Sequence, residues 1–251
     1  MTLTGGEDYQ VTARRLAALI FICVSLAGAP ASASVLSVSS PSVREGEISL
    51  EAGAAVEHDA VEFAEYAFEV SYSPTGFWNT ALEFSAEDRN GEVAYAVSAW
   101  KNTLQFIRQD DRTPVSAALR LQYELAHAAG EADEIAARLL LRHDSGPLSY
   151  RLNVGVEREI GGGENSDLIG DLRAAVRYDL GNGLAPAIEY LGDTGSLHTL
   201  RRFENQDHRL GPVLYADVTG TLRLGVGYYA PLSGGAPDHT FKITLEHAFP
   251  R

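Results

Sequence analysis

The chain has 251 residues and carries 34 acidic against 20 basic side chains, a formal net charge of −14. This balance excludes a nucleic-acid binder and a protein held on anionic lipid by basic residues, since both need clustered Lys and Arg. The only cysteine, Cys23, lies in an N-terminal segment that we expect to be removed. The mature chain would then have no disulfide framework and no thiolate metal site, and we predict no cofactor and no metal.

The first 33 residues have the pattern of a secretory signal peptide. Two consecutive arginines precede an apolar run over 16–27, and Ala31-Ser32-Ala33 supplies the small residues of a cleavage site. The run is shorter than the about 20 residues of a transmembrane helix, and a short N-terminal anchor is the alternative. We therefore predict a cleaved signal over 1–33, a periplasmic N-terminal segment over 34–45 and one domain over 46–251.

Apolar and polar residues alternate along the rest of the chain with the period of two that is typical of β-strands. Between Leu148 and Val156, every second residue is apolar and the intervening positions include Arg151 and Asn153. The runs are roughly 10–14 residues long, whereas soluble strands average about 5–6, and about ten residues tilted near 45° cross roughly 25 Å of bilayer. We predict an all-β fold of about twelve antiparallel strands, over 46–57, 61–73, 77–87, 91–107, 114–127, 132–143, 147–159, 167–180, 183–192, 208–217, 220–230 and 239–249.

Two of these strands are ambiguous in the sequence. The alternation over 91–107 changes phase near Trp100 to Thr103, which predicts a β-bulge there. Residues 131–142 are rich in Ala, Leu, Glu and Arg and would form a helix on intrinsic propensity alone. The boundaries over 91–107 and 131–143 are therefore the least well defined.

Alternation alone does not say which face is inside, because a soluble barrel hides its apolar face and a membrane barrel turns it to lipid. The long strands, the export signal and a polar face that mixes charges with small residues favour the membrane barrel. Twelve strands place both termini on the periplasmic side, and the longest connections, over 160–167, 193–207 and 231–238, then fall on the other side. Aromatic residues collect near both rims of the apolar face, with Tyr72, Trp78, Tyr150, Tyr178 and Phe249 near one and Phe84, Tyr190, Tyr228 and Phe241 near the other.

The final segment over 240–249 alternates apolar residues and ends on the aromatic Phe249. It resembles the C-terminal assembly strand of the outer-membrane β-barrel proteins of proteobacteria, except that Pro250 and Arg251 follow the aromatic. This resemblance covers the whole mature chain as architecture. It implies a single up-and-down antiparallel barrel in the bacterial outer membrane, surrounded by outer-membrane lipid and inserted by the barrel-assembly machinery, which would read the strand that ends at Phe249. It names no solute, and a periplasmic partner is possible but not identified.

The candidate functional residues are charges on the predicted lumen face. Strands 1–4 point acidic residues inward: Glu51, Glu65, Glu69 and Glu83, together with Glu47 and Glu92. Strands 5–8 point basic residues inward: Arg120, Arg138, Arg142, Arg151, Arg173 and Arg177. Opposed rows would set up a transverse field in a channel. The alternative is that the two rows pair and plug the lumen, since unpaired buried charge is costly.

One segment has the residue types of an enzyme site. His143-Asp144-Ser145-Gly146 resembles the His-x-Ser arrangement of outer-membrane phospholipases, with a nucleophile and a base on one face. The Asn expected after Ser145 is replaced by Gly146, the segment also reads as an ordinary turn, and it falls at the periplasmic end. The seven histidines are scattered without metal-ligand spacing. We therefore predict no enzyme.

The sequence supports three functions for a membrane barrel. The first is a passive channel for small solutes, and the second is a plugged structural barrel that binds a partner through the segment 34–45 or the periplasmic turns. The third is a lipid-active hydrolase that uses His143 and Ser145. A soluble secreted barrel is the remaining reading of the alternation.

Overall fold

A computed structural model describes residues 36–58, 63–127, 131–161 and 167–249. The described residues form twelve antiparallel strands that close into one barrel, in which each strand pairs with its neighbours in sequence and β1 pairs with β12. The predicted strand ends differ from the observed ones by at most four residues, at the end of β9 (192 predicted, Ser196 observed). The strands are β1 Ile48–His58, β2 Phe63–Thr75, β3 Trp78–Arg89, β4 Glu92–Ile107, β5 Ser116–Ala126, β6 Asp133–Ser145, β7 Leu148–Ile160, β8 Ile169–Tyr178, β9 Leu184–Ser196, β10 Asp207–Asp217, β11 Leu222–Pro231 and β12 His239–Phe249.

The C-terminal strand closes the barrel. β12 runs antiparallel to β1 in an unbroken register from Ile48 opposite Phe249 to His58 opposite His239. Closure leaves no strand edge with unpaired backbone groups, which a lipid environment requires because no water is present there to satisfy them.

Most of the helix-prone residues 131–142 lie in strand β6, Asp133–Ser145. This strand pairs with β5 on one side and with β7 on the other, in a register that runs from Asp133 opposite Ile160 to Ser145 opposite Leu148. Two flanking ladders satisfy its backbone, and this tertiary pairing outweighs intrinsic helix propensity.

The register of strand β4 shifts before and after the predicted position, not at it. The prediction of a bulge at 100–103 was therefore wrong about its position. The register with β3 shifts at Ala96, and the register with β5 shifts at Phe106. At the first shift, the consecutive residues Ala96 and Val97 are both buried. Ala96 is the extra residue, and it reverses which positions of β4 face the lumen. The alternation of the strand therefore changes phase at Ala96.

The outer face of the barrel is apolar and the lumen is polar. Ile188 on β9 and Ile243 on β12 are about half exposed, whereas the adjacent Glu189 and Lys242 are each 2% exposed. Exposed apolar residues recur around the wall, and Tyr72, Tyr178 and Phe249 lie exposed at the ends of their strands. This is the reverse of a soluble barrel and defines a surface that faces lipid. Among the described residues, no helix has the length and apolar character needed to cross a membrane.

The two ends of the barrel differ in their connections. The end where β1 begins and β12 stops, called here the turn end, has connections over 76–77, 108–115, 146–147, 179–183 and 218–221. The opposite end, the loop end, includes the longest connection, 197–206, with a short 3₁₀ helix at Phe203–Asn205. It also has the tight link Asn90-Gly91, in which both residues have positive φ, as a two-residue type I′ hairpin turn requires.

Candidate functional site: the lumen and the N-terminal strap

The ten predicted site residues all lie on the lumen side of the wall. Glu65, Glu83 and Arg138 are buried there. The other seven, Glu51, Glu69, Arg120, Arg142, Arg151, Arg173 and Arg177, line lumen cavities or bond to groups inside the lumen. Strand parity therefore placed each side chain on the correct face, but it did not predict what each one contacts.

The segment before β1 enters the lumen. We call residues 36–45 the N-terminal strap. The sequence analysis assigned this stretch to the periplasm, whereas its residues Val38, Pro41 and Val43 are buried inside the barrel. Unlike a strand, the strap has no ladder partner, and its backbone groups bond to lumen side chains instead.

Two amide side chains bind the strap through its main chain. Asn153 accepts a hydrogen bond from the N–H of Ser39 (2.7 Å) and donates one to the carbonyl of the same residue (3.0 Å). Gln105 accepts from the N–H of Val43 (3.1 Å), and Arg108 donates to the Val43 carbonyl (3.1 Å). Each clamp satisfies both the donor and the acceptor of one strap residue, so the two clamps fix its position along the lumen.

Basic side chains bind the oxygen atoms of the strap from the turn end inward. Nearest the turn end, Arg142 donates to the hydroxyls of Ser40 and Ser42 at 3.4 and 3.3 Å. Deeper in the lumen, Arg120 donates to the Ser39 hydroxyl at 2.9 Å. The next three contacts reach main-chain carbonyls: Arg151 to Val38 (3.0 Å), Arg173 to Ser37 (3.3 Å) and Lys242 to Leu36 (2.7 Å).

An apolar contact anchors the same part of the strap. Val38 packs into a small cluster of buried lumen residues, which comprises Ala175, Ala187, Leu191, Val213 and Tyr229. The strap is therefore held by one valine in a pocket and by polar bonds on both sides of it.

The acidic side of the lumen carries its own counter-charge. Lys101 on β4, which the sequence analysis did not select, donates to Glu69 at 2.9 Å and to Glu83 at 2.6 Å. Lys101 lies within 100–103, where the sequence analysis placed the phase change, so alternation did not assign it to either face. Lys101 therefore neutralises part of the charge of the acidic row, so this row does not face the arginines with its full negative charge.

The basic side also contains an acid. Asp171 on β8 accepts bidentate hydrogen bonds from Arg138, at 3.0 to 3.3 Å. It also forms an ion pair with Arg173 at 3.3 Å. Gly155 makes room for this pair, because a Cβ there would meet the Asp171 carboxylate at 1.7 Å. The inward parity of Asp171 on β8 is the signal that could have identified it.

A fully bonded charge pair lies deeper in the lumen. Glu189 accepts from Lys242 (2.9 Å) and from the hydroxyls of Tyr215 (2.5 Å) and Tyr229 (2.7 Å). Toward the loop end, Arg209 bonds to Glu57 and Asp207. Paired charges therefore narrow the lumen beyond the inner end of the strap.

Cavities remain inside the barrel between the described residues. One of about 240 Å³ lies on the turn-end side, one of about 60 Å³ lies between the strap and the acidic wall, and one of about 440 Å³ lies at the loop end. Ser37 and Ser39 of the strap line the first two. The lumen thus contains open space that is interrupted by the strap and by paired charges.

The phospholipase-like segment lies at the turn end and has the contacts of a turn. His143 Nδ1 is 2.5 Å from the Pro114 carbonyl oxygen, and its ring stacks on Tyr150. Ser145 is the last residue of β6 and lies opposite Leu148 in the hairpin. Neither contact joins the histidine to the serine.

The rim histidines bond to outward-facing tyrosines at the loop end. His208 Nδ1 is 2.7 Å from the Tyr190 hydroxyl, and His239 Nδ1 is 2.8 Å from the Tyr228 hydroxyl. Within the part of the chain that the structure describes, no three His, Cys, Asp or Glu residues are grouped closely enough to hold a metal ion.

Structural comparison relates this barrel to outer-membrane channels. It matches the COG4313 outer membrane channel from Pseudomonas putida F1 with a TM-score of 0.65 and 9% identity, over 86% of this chain and 100% of that one. It matches the KdgM porin (TM-score 0.58, 9% identity) and the NanC porin (0.57, 11%), over 80% of this chain and 99% and 98% of theirs. No protein-family model and no curated protein matches the sequence. At these identities the comparisons show a shared fold.

The closed twelve-strand barrel, its apolar outer face and its polar lumen define the class of the protein. It has the closed β-barrel fold of outer-membrane porins and channels. The fold of outer-membrane channels is therefore shown, and the solute is a separate question.

Proposed function

We propose that the protein is a passive outer-membrane channel for small hydrophilic solutes and that the N-terminal strap controls its opening. One observation supports this most strongly. The lumen contains a cavity at each of its ends, and the strap forms one wall of the turn-end cavity. The shared fold with porins and channels supports the same reading.

The strap is held by side chains and not by a strand ladder. Six basic side chains donate hydrogen bonds to it, and bonds to charged groups contribute about 1.5–3 kcal/mol each. Fixing its backbone opposes this binding, at a cost of about 1–2 kcal/mol for each residue. The ladders that close the barrel include no strap residue, so the strap could leave the lumen while every strand pair is kept.

The orientation follows from the two ends. We place the turn end, where the strap enters, in the periplasm, because outer-membrane barrels have short periplasmic turns and longer external loops. The periplasm would then have access to the strap and to the cavity of about 240 Å³, while the cavity of about 440 Å³ opens outside the cell. We propose no enzymatic role, since the contacts of His143 and Ser145 are those of a hairpin turn.

A plugged structural barrel is the second candidate. The paired charges that narrow the lumen favour it, in particular Arg209 with Glu57 and Asp207, because a permanently filled lumen needs such pairs. In that case the strap would be a fixed part of the barrel.

Planar-bilayer recording separates these two candidates. We would compare the mature chain 34–251 with a chain that lacks 34–43, and with the double variant Asn153→Ala/Gln105→Ala, which removes the amide side chain of each clamp. A channel gated by the strap gives larger or more frequent conductance steps in both altered chains. Ser145→Ala is the matched control and leaves the conductance unchanged. A folded barrel that stays silent in all four forms would contradict the channel and favour the structural barrel.

A further inference from the structure

The cavity of about 240 Å³ on the turn-end side has an excess of basic residues that are not paired. Seven basic and three acidic side chains line it. Four of the seven are in ion pairs, namely Arg44 with Glu47, Arg142 with Asp144, Arg223 with Asp217 and Lys242 with Glu189. The other three, Arg120, Arg151 and Arg177, have no carboxylate oxygen within 4 Å among the residues that the structure describes.

The acidic residues of the cavity do not balance this excess. Glu47 is paired with Arg44, and Glu246 lies 3.8 Å from Arg223. Only Glu51 is left to oppose three arginines. The lining therefore has about two more positive than negative charges that are not held in pairs.

One guanidinium donor beside the cavity also has no acceptor. Arg151 lines the cavity and donates to the Val38 carbonyl through Nη1, but its Nε is buried and makes no hydrogen bond. A buried donor that lacks an acceptor costs about as much as a lost hydrogen bond, so a small movement of Arg151 toward an anionic ligand would remove that cost.

The neighbouring groups show what kind of ligand would fit. Arg177 lies over the ring of Tyr215, 4.9 Å from its centre, which fixes the guanidinium while leaving its N–H groups without a carboxylate. The strap serines Ser37, Ser39, Ser40 and Ser42 line the same cavity. Charged donors and hydroxyls in one cavity suit a molecule that carries both a carboxylate and several hydroxyl groups.

We propose that this cavity binds a small hydroxylated carboxylate, of the size of a sugar acid, with the carboxylate between Arg151 and Arg177. This inference deepens the proposed function and rests on it, because it names the class of solute that the channel would take up. The strap forms one wall of the site, so the ligand and the strap contact the same arginine, Arg151.

Binding to the folded barrel in detergent micelles tests the site without requiring conductance. The probes are D-glucuronate and, as the neutral comparison, D-glucose, titrated by calorimetry into the mature chain 34–251. We expect saturable binding of glucuronate and at least tenfold weaker binding of glucose. Equal affinity for the two sugars, or no binding of glucuronate, would overturn the proposal.

Charge variants of opposite sign keep the test independent of folding. Arg177→Gln, which touches no strap residue, is expected to weaken glucuronate binding about tenfold or more, because one charged donor is lost. Glu51→Gln is expected to tighten it, because a repelling carboxylate is removed. Arg202→Gln, on the exposed 197–206 loop, is the matched control and leaves the affinity unchanged. Weakening by both Arg177→Gln and Glu51→Gln would indicate structural damage and contradict the site.

The two proposals fail in different ways. A barrel that binds glucuronate but conducts in none of its forms would refute the channel and keep the site as that of a solute-binding barrel. A barrel that conducts without binding glucuronate would refute the site and keep the channel.

Discussion

The buried pair of Glu189 and Lys242 makes a quantitative prediction about stability. Their side chains are 2% and 1% exposed, and the carboxylate accepts one bond from Lys242 and two from tyrosine hydroxyls. Replacing Glu189 by Ala leaves a buried ammonium and two hydroxyls without their shared acceptor. Removing one partner of such a pair typically costs about 3–5 kcal/mol.

The loss should be smaller when both charges are removed. In Glu189→Ala/Lys242→Met no unpaired charge is left, and replacing a whole buried pair by apolar groups is often close to neutral. We therefore expect the free energy of unfolding to fall by about 3–5 kcal/mol in Glu189→Ala and by at least 2 kcal/mol less in the double variant.

Urea unfolding in lipid vesicles measures both values. The two tryptophans, Trp78 and Trp100, lie on the outward face of neighbouring strands, so their fluorescence reports insertion of the barrel. Lys242→Met alone completes the cycle. A loss below about 1 kcal/mol in Glu189→Ala would refute the reasoning, because it would mean that lumen water solvates Lys242 as well as the carboxylate does.

Three further predictions concern the strap and the wall. Gly155→Ala is expected to separate Arg138 from Asp171, because the added Cβ overlaps the carboxylate. We expect it to destabilise the barrel by about 1–3 kcal/mol, which the same urea titration measures. Asn153→Ala alone is expected to raise the open fraction of the channel without changing its maximal conductance, because one main-chain clamp is lost while the rest of the lumen lining is kept. Single-channel records that show unchanged gating would contradict this role of Asn153. Ser145→Ala is expected to leave folding and vesicle-lipid composition unchanged, and lipid hydrolysis that stops in this variant would refute the assignment of the segment as a turn.

The sequence by itself determined the strands and the direction of most side chains. Alternation is a local property: successive side chains of a strand point to opposite faces, so reading every second residue from Leu148 assigns Arg151 and Asn153 to the lumen without further information. The terminal aromatic strand likewise identified the segment that closes the barrel.

Only the tertiary structure decided which of these side chains meet. Ser39 and Asn153 are 114 residues apart, and Lys242 and Glu189 are 53 apart. Their contact depends on barrel closure and on the register of every intervening strand pair. The strap shows this most clearly, because many of its bonds use main-chain groups that every residue has. The lumen wall that binds these groups exists only after the barrel has closed.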